Sequence, residues 1–269
     1  MKRIFAIAAL ILLLTGCSAG QPTKETESVD TMLPKNKTYE ILFIGNSYTF
    51  YNDMPTVYFE TMAKSCGYDI RIHTVTKGAY TLEKFADAKD PYGGLVATAL
   101  NGTTKFDYVI LQEQSVRPAV SSEAFFNGVR ALSEQIRAIG AQPVLYATWG
   151  RKEGSDTLEK YAMTSEDMTW KLAAAYETIG RELDIPVVHV GLAFRELRSK
   201  TALELYNDDK SHPSPTGSYL AAMSLFCRIF EADPSVITLK GPAGEEEAVL
   251  RQVVRQILQN PPVIPDSYK

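Results

Sequence analysis

Residues 41–47 read Ile-Leu-Phe-Ile-Gly-Asn-Ser, four consecutive apolar residues followed by a turn-forming pair and a serine. An apolar run without alternation is typical of a strand buried on both faces, as in a parallel sheet covered by helices. Similar runs recur along the chain, and a segment of helical character separates each run from the next. These runs are Ile70–Val75, Tyr108–Leu111, Pro143–Tyr146 and Pro186–Val190.

The intervening segments carry apolar residues at helical spacing, as between Phe125 and Ile139 and between Leu172 and Leu183. Two more helices are predicted at 214–230 and 245–258, the last with three glutamates in its first turn. Asp53, two residues before a proline, is predicted to be a helix N-cap. The pattern predicts a three-layer α/β/α sandwich around a five-stranded parallel sheet of flavodoxin-like kind. In such sheets the site lies beyond the carboxyl ends of the strands.

The first residues are typical of an export signal, because Lys2 and Arg3 precede the apolar run Ile4–Leu14. That run is shorter than a bilayer-spanning helix requires. It ends in Leu-Thr-Gly-Cys at residues 14–17, which resembles the lipobox of bacterial lipoproteins. The resemblance implies that Cys17 becomes the mature N-terminus and carries the acyl chains.

We therefore predict a signal peptide over residues 1–16, a lipidated cysteine with a flexible tether over 17–38, and one domain over 39–269. The tether is polar and lacks aromatic residues before Tyr39, which is the composition of a solvated linker. The remaining residues are numerous and apolar enough to bury one core. The predicted location is outside the cytoplasm, anchored to the bacterial cell membrane by lipid. The formal net charge of −4 gives no indication of a nucleic-acid partner.

Two other cysteines are present, Cys66 near the end of a first helix and Cys227 within a late helix. In an oxidising compartment a disulfide between these two cysteines is one alternative. Buried free thiols are the more common state, and we expect that state here.

Ser47 stands in a tight turn after the first strand, where a nucleophile is exposed and backbone N–H groups point toward it. A helix cap or turn former is the alternative for an isolated serine. Asp209 precedes His212 by three residues and can hold one ring nitrogen while the other accepts a serine proton. The alternative is a solvated loop pair. His73 and His189 fall in predicted strands, where we expect packed or partnered core groups.

Gly78 follows the second strand, and a glycine there can turn its N–H inward where a side chain would block it. It is thus a candidate oxyanion donor or a plain turn glycine. Gln112 and Gln114 follow the third strand and offer side-chain amides as further donors. Both have the same side-chain parity. Gln112 follows its strand at the level of Gly45, so it is expected to reach Ser47.

The order of these features resembles the four sequence blocks of the SGNH (GDSL-like) serine hydrolases. Serine follows strand one, glycine follows strand two, an amide follows strand three, and Asp-x-x-His precedes a late helix. Pro213 and Gly217 extend the last block in the manner usual for that family. The resemblance covers about residues 39–230. It implies the SGNH hydrolase fold.

Carried over by position, Ser47 corresponds to the nucleophile, His212 to the base and Asp209 to its orienting carboxylate. The N–H groups of Ser47 and Gly78 correspond to oxyanion donors. The first block reads Gly-Asn-Ser where Gly-Asp-Ser is common. The third block lacks the usual Gly-x-Asn-Asp. Gln112 or Gln114 then takes the part of the asparagine, which resembles carbohydrate acetylesterases of the sialate O-acetylesterase type.

The resemblance implies ester hydrolysis through an acyl-enzyme, without metal or cofactor, and the histidines show no metal-binding spacing. An extracytoplasmic anchor and the likeness to acetylesterases favour O-acetyl groups on glycans as substrate. Short-chain lipid ester or lysophospholipid hydrolysis is one alternative. A membrane-displayed protein that binds glycan without cleaving it is another. Tyr48, Phe50, Tyr51 and Trp149 either stack on sugar or pack, with packing expected for Phe50.

Overall fold

The computed structural model describes residues 32–269. Cys17, the predicted signal peptide and residues 17–31 of the predicted tether lie outside the described residues. Within that range no helix is both long and apolar enough to cross a membrane.

The sheet has five parallel strands in the order β2-β1-β3-β4-β5. The predicted fold class is therefore confirmed. The strand bounds are β1 Thr38–Gly45, β2 Asp69–Thr76, β3 Tyr108–Leu111, β4 Gln142–Ala147 and β5 Val187–His189.

Helices connect successive strands and follow the last one, as the spacing of apolar residues predicts. Their bounds are α1 Ser47–Phe50, α2 Thr61–Ser65, α3 Leu82–Ala86, α4 Pro91–Leu100, α5 Arg117–Val120, α6 Ser122–Ala138, α7 Asp156–Lys160, α8 Ser165–Leu183, α9 Val190–Lys200, α10 Pro215–Ile229 and α11 Glu247–Gln259. A π-helical segment, Met54–Glu60, leads into α2.

The alternation of side chains along β1 sorts the core into two layers. Tyr39, Ile41 and Phe43 point to one face, where they pack with the π-helical segment and with α9, α10 and α11. Leu42 and Ile44 point to the other face, where they pack with α3, α4, α6 and part of α8. Both faces of the sheet are buried, which explains why its strands lack polar alternation.

The strand register brings the loops after β1, β2 and β3 to one edge of the sheet. Gly45 pairs with Thr76, and Ile44 pairs with Leu111. These strands therefore end at nearly the same level, and the chain segments that follow them are neighbours. The predicted site residues after these strands lie at this carboxyl edge.

Two local predictions hold only in part. Asp53 is the N-cap residue of the π-helical segment and a proline lies in its first turn, as predicted, but its side chain makes no capping hydrogen bond. Asp53 precedes the π-helical segment with φ 50°, and Asn52 beside it has φ 55°. An N-cap needs extended backbone to aim its side chain at the first helical N–H groups, so Asp53 makes no capping hydrogen bond. Near the C-terminus a 3₁₀ turn, Gly244–Glu246, precedes α11. Only Glu247 of the three glutamates therefore lies in the first turn of the α-helix.

Cys66 and Cys227 are buried free thiols, as expected. Burial raises the pKa of the Cys227 thiol well above its ordinary value. A thiol in that protonated state behaves as a small apolar side chain.

Candidate active site

The structure brings Ser47, His212 and Asp209 together in the predicted order. His212 Nε2 lies 2.8 Å from Ser47 Oγ. The other ring nitrogen, Nδ1, is hydrogen-bonded to Asp209 Oδ2. The second carboxylate oxygen of Asp209 accepts the backbone N–H groups of Ser211 at 3.0 Å and His212 at 2.9 Å. The aspartate thus fixes both the ring and the backbone of its histidine.

Electrostatics keep Asp209 ionised. Partial burial alone would raise the pKa of this carboxyl, but the hydrogen bonds from the His212 ring and the two backbone N–H groups outweigh it. The pKa of Asp209 therefore lies below its ordinary value. A carboxylate in this state favours the Nδ1–H tautomer of His212, which leaves Nε2 free to accept a proton.

Asn46 holds the turn that carries the serine. Its Oδ1 accepts the backbone N–H of Tyr48 at 3.2 Å and so caps α1. Its amide nitrogen donates to the carbonyl of Tyr80 at 3.1 Å, in the loop after β2. An aspartate could make the first bond but not the second, because an ionised carboxylate has no donor. The asparagine thus joins the first two catalytic loops through one side chain.

Gln112 does not occupy the predicted oxyanion position. Its side chain is buried beneath the serine turn, where Oε1 accepts the N–H of Asn46 and the hydroxyl of Thr49, both at 2.9 Å. Its amide nitrogen donates to the carbonyl of Glu113. The side chain is fully buried and its Oε1 is turned toward the serine turn, so no donor of Gln112 is presented to a ligand, and the expectation that it reaches up to the oxyanion is wrong. Its position makes it a clamp for the turn instead.

Gln114 keeps a donor available. It is partly exposed, and its amide nitrogen makes one hydrogen bond, at 3.3 Å to the hydroxyl of Ser115. An amide nitrogen carries two hydrogens, so one remains for a ligand. Of the two glutamines, Gln114 is the one whose unused donor lies on a partly exposed side chain.

Gly78 lies in the loop beside the serine turn. Its neighbour Lys77 donates to the carbonyl of Gly45 at 3.1 Å, and Tyr80 accepts from Asn46. No hydrogen bond within residues 32–269 uses the N–H of Gly78 or of Ser47. A Cβ at Gly78 would meet no protein atom of residues 32–269 within 4 Å, so packing does not require a glycine at this position. The N–H groups of both residues are free for a ligand.

Aromatic side chains frame the site from below. Trp149 is fully buried and stacks on Tyr48 with centroids 4.8 Å apart and on Phe194 with centroids 4.1 Å apart. It therefore packs and does not stack on sugar. Phe50 is 38% exposed, so its ring is packed over part of its surface and open to solvent over the rest. Tyr51 stacks on the His212 ring at 4.5 Å.

Sequence reasoning missed the contacts that join the serine turn to the histidine loop. The Tyr48 hydroxyl is hydrogen-bonded to Ser211 Oγ at 2.8 Å. The Asn52 amide donates to the Pro213 carbonyl at 2.9 Å. These residues adjoin the predicted Ser47 and His212, which is the one signal that could have found them. Nothing in the sequence pairs them with each other.

The two other histidines are partnered away from the triad, as expected. His73 Nε2 lies 2.7 Å from a carboxylate oxygen of Glu40, and His189 Nε2 lies 3.1 Å from one of Glu177. In the part of the chain that the structure describes, no group of three or more His, Cys, Asp or Glu side chains is arranged to hold a metal ion.

Several solved structures share this fold. A DUF4886 family protein from Bacteroides uniformis has a TM-score of 0.70 and 17% identity, over 86% of this chain and 99% of that one. A catalytic mutant of an acetylxylan esterase from Geobacillus stearothermophilus has a TM-score of 0.50 and 14% identity, over 72% of this chain and 93% of that one. At these identities the likeness concerns the fold.

A hydrogen-bonded serine, histidine and aspartate at the carboxyl edge of a parallel sheet define the class as a serine hydrolase. The sequence matches no family model and no curated protein. It is 34% identical to a provisionally assigned SGNH hydrolase from Slackia heliotrinireducens, with a TM-score of 0.63, over 73% of this chain and 100% of that one. The chain belongs to the SGNH hydrolase family and is a carboxylic ester hydrolase.

Proposed function

We propose that the chain is a serine esterase that removes O-acetyl groups from carbohydrates outside the cytoplasm. The observation that carries the mechanism is the 2.8 Å contact between His212 Nε2 and Ser47 Oγ, with Asp209 bound to the other ring nitrogen. In this arrangement neutral His212 takes the hydroxyl proton while Ser47 Oγ attacks the carbonyl carbon.

The carbonyl oxygen becomes an oxyanion in this step and needs donors placed in advance. The free N–H groups of Ser47 and Gly78 and the amide of Gln114 fill that role. The imidazolium then protonates the leaving alcohol oxygen, and the acyl group stays on Ser47. Water attacks the acyl-enzyme with His212 again as base, which releases the acid and restores the serine.

A short acyl group is favoured by the fold neighbours described as acetylxylan esterases. The exposed ring of Phe50, three residues beyond the nucleophile, offers a flat apolar face of the kind that stacks on sugar. The second candidate is a lipid esterase, because a lipase/acylhydrolase from Enterococcus faecalis also shares the fold, with a TM-score of 0.51. Lipid attachment at Cys17 would hold either activity at the membrane surface.

Labelling by a fluorophosphonate probe tests the nucleophile. Wild-type protein is expected to react and Ser47→Ala is not, because the probe phosphonylates an activated serine. Asp209→Asn is expected to lower turnover severely but less than Ser47→Ala. Equal labelling of wild type and Ser47→Ala would remove Ser47 from the mechanism and leave glycan binding without cleavage as an open role.

Acyl-chain preference separates the two substrate candidates. Rates on 4-nitrophenyl acetate, butyrate and octanoate are expected to fall as the acyl chain lengthens. A preference for octanoate would instead favour the lipid esterase.

A further inference from the structure

Arg151 lies near the triad and has no carboxylate partner in the described part of the chain. It follows β4, and its Nη2 donates to Ser115 Oγ at 3.1 Å. No other hydrogen bond of its side chain and no ion pair occurs within residues 32–269, and its Nε is buried without an acceptor. Nη1 is not among the buried unpartnered nitrogens, so it reaches solvent. A partly buried charge that lacks a partner is costly to keep.

The other described arginines are satisfied or remote. Most pair with a carboxylate, namely Arg71, Arg117, Arg130, Arg181, Arg195, Arg198, Arg251 and Arg255. Arg137 donates to backbone carbonyls at the end of α8, and Arg228 lies exposed on α10. Arg151 therefore differs from them in facing the catalytic loops with most of its donors free.

Glu153 and Asp209, two acidic residues of the neighbouring segments, are already engaged. Glu153, two residues further on, pairs with Arg198 at 2.7 Å. Asp209 is bound by the ring and backbone of His212. Within residues 32–269 the guanidinium forms no ion pair with a carboxylate, and an anionic ligand could supply that partner.

Contacts through Ser115 and Tyr48 place Arg151 at the site. Ser115 Oγ accepts from Arg151 and also from the Gln114 amide at 3.3 Å, so two donors converge on one hydroxyl. Burial raises the pKa of the Tyr48 hydroxyl, and the positive charge of Arg151 opposes that rise because the two groups are close. Tyr48 follows the nucleophile directly and is bonded to Ser211, which precedes His212.

We propose that Arg151 binds a carboxylate on the alcohol part of the ester, so that the preferred substrate is an O-acetylated acidic sugar. The inference rests on the proposed function. An acetyl group carries no charge, so a carboxylate on the substrate must belong to the sugar. A carboxylate matches the planar guanidinium, whose parallel N–H groups can donate to both of its oxygens.

A matched pair of substrates tests the proposal. One is an O-acetylated methyl glucuronoside, and the other is the methyl glucoside acetylated at the same hydroxyl, which has CH₂OH in place of the carboxylate. Wild type is expected to have the higher kcat/KM on the acidic sugar. Arg151→Met is expected to reduce that advantage by about 10- to 100-fold, the effect of a lost charge-assisted hydrogen bond. Arg151→Lys is expected to restore part of it.

Arg228→Met is the matched control, because it removes the same charge from an exposed helix position and should leave the ratio of the two rates as in wild type. A measurement without variants uses wild type alone. Glucuronate is expected to inhibit hydrolysis of 4-nitrophenyl acetate at lower concentration than glucose does.

The outcomes separate this inference from the proposed function. Equal wild-type rates on the two sugars, or equal losses on both in Arg151→Met, would overturn the role of Arg151 and leave the acetylesterase intact. Hydrolysis of 4-nitrophenyl acetate with no cleavage of either sugar would instead overturn the carbohydrate substrate, and the inference with it.

Discussion

Gln112 and Gln114 stand two residues apart, yet their side-chain amides have different surroundings. The amide of Gln112 is buried and bonded at both ends, to Asn46, Thr49 and Glu113. The amide of Gln114 has one bond, to Ser115, and is partly exposed. Substituting each in turn should separate the stability of the serine turn from stabilisation of the oxyanion.

Gln112→Ala is expected to lower the free energy of unfolding by about 2–3 kcal/mol. The substitution leaves the N–H of Asn46 and the hydroxyl of Thr49 without their buried acceptor. Urea unfolding of wild type and variant measures the difference. An unchanged unfolding midpoint would show that the turn holds without its clamp.

Gln114→Ala is expected to lower kcat about 10²-fold with little change in KM, the effect of losing one oxyanion donor. Its unfolding midpoint should stay near that of wild type, because its amide makes a single long hydrogen bond. Steady-state kinetics on 4-nitrophenyl acetate measure both constants. Full turnover in this variant would leave the oxyanion to the backbone N–H groups of Ser47 and Gly78.

Gly45 and Gly78 look alike in sequence but differ in the space around them. A Cβ at Gly45 would lie 2.8 Å from Gln112 Oε1 and closer still to the Thr49 hydroxyl, whereas one at Gly78 would meet open space. Gly45→Ala should therefore reduce activity at least tenfold by displacing the serine turn, of the order seen when catalytic groups move by an ångström. Gly78→Ala keeps its N–H and should be tolerated far better. Comparable losses in both variants would contradict this difference.

Glu113 connects elements that come from separate parts of the chain. It follows β3 and is fully buried, and its carboxylate accepts the N–H of Leu82, the first residue of α3. Burial raises the pKa of Glu113 to about 8, although the N–H groups of Gln114 and Leu82 partly oppose the rise. The contact between the end of β3 and the start of α3 thus contains a carboxyl group that is mainly protonated at neutral pH.

The raised pKa predicts a stability that falls with pH. Below the ordinary value of 4.5 the carboxyl is protonated in both folded and unfolded chains and has no effect. Between 4.5 and about 8 the unfolded chain ionises while the folded one resists, so folding becomes less favourable as pH rises. Glu113→Gln removes this penalty and should stabilise the protein by roughly 1–3 kcal/mol at pH 7.

The gain in Glu113→Gln should shrink toward zero near pH 4.5 and stay constant above about pH 8. Unfolding midpoints of wild type and variant across this range measure it. A gain that does not vary with pH would mean that Glu113 stays ionised in the folded protein.

The strands and the longer helices could be predicted because their apolar residues recur at a regular spacing. β3 matches its prediction at both ends, since polar residues flank an unbroken apolar run. The π-helical segment at Met54–Glu60 could not be predicted. It begins after left-handed backbone at Asn52 and Asp53, and no spacing of apolar residues signals that backbone conformation. The roles of the glutamines were missed for another reason. Gln112 Oε1 is bonded to Asn46 and Thr49, and both of these residues lie more than 60 positions away in the sequence.

Across the whole molecule, the triad positions were predictable and their surroundings were not. Ser47 and the Asp209–His212 pair belong to short motifs that can be located one at a time. What holds them in place is a set of contacts between distant residues, such as Tyr48 with Ser211 and Tyr51 with His212. Such contacts depend on the completed fold and leave no spacing pattern in the sequence.

The predicted lipid anchor and the predicted catalytic domain lie in different parts of the chain, so membrane attachment and activity can be tested separately. Cys17→Ala is expected to abolish membrane association and to leave esterase activity in the soluble fraction, since the acyl chains supply the affinity for the bilayer. Fractionation of cells followed by an assay on 4-nitrophenyl acetate measures both. Activity that still sediments with membranes would show that another part of the protein binds them.

The stacked Trp149 gives the protein a built-in optical reporter. It is one of two tryptophans, and its indole lies between Tyr48 and Phe194 while its Nε1 donates to the Ser211 carbonyl at 3.0 Å. After Trp170→Phe, the fluorescence of the chain would come mainly from this single indole. Its emission would shift to the red if water entered between the serine turn and the histidine loop. Tryptophan fluorescence could therefore report the opening of the active site during unfolding.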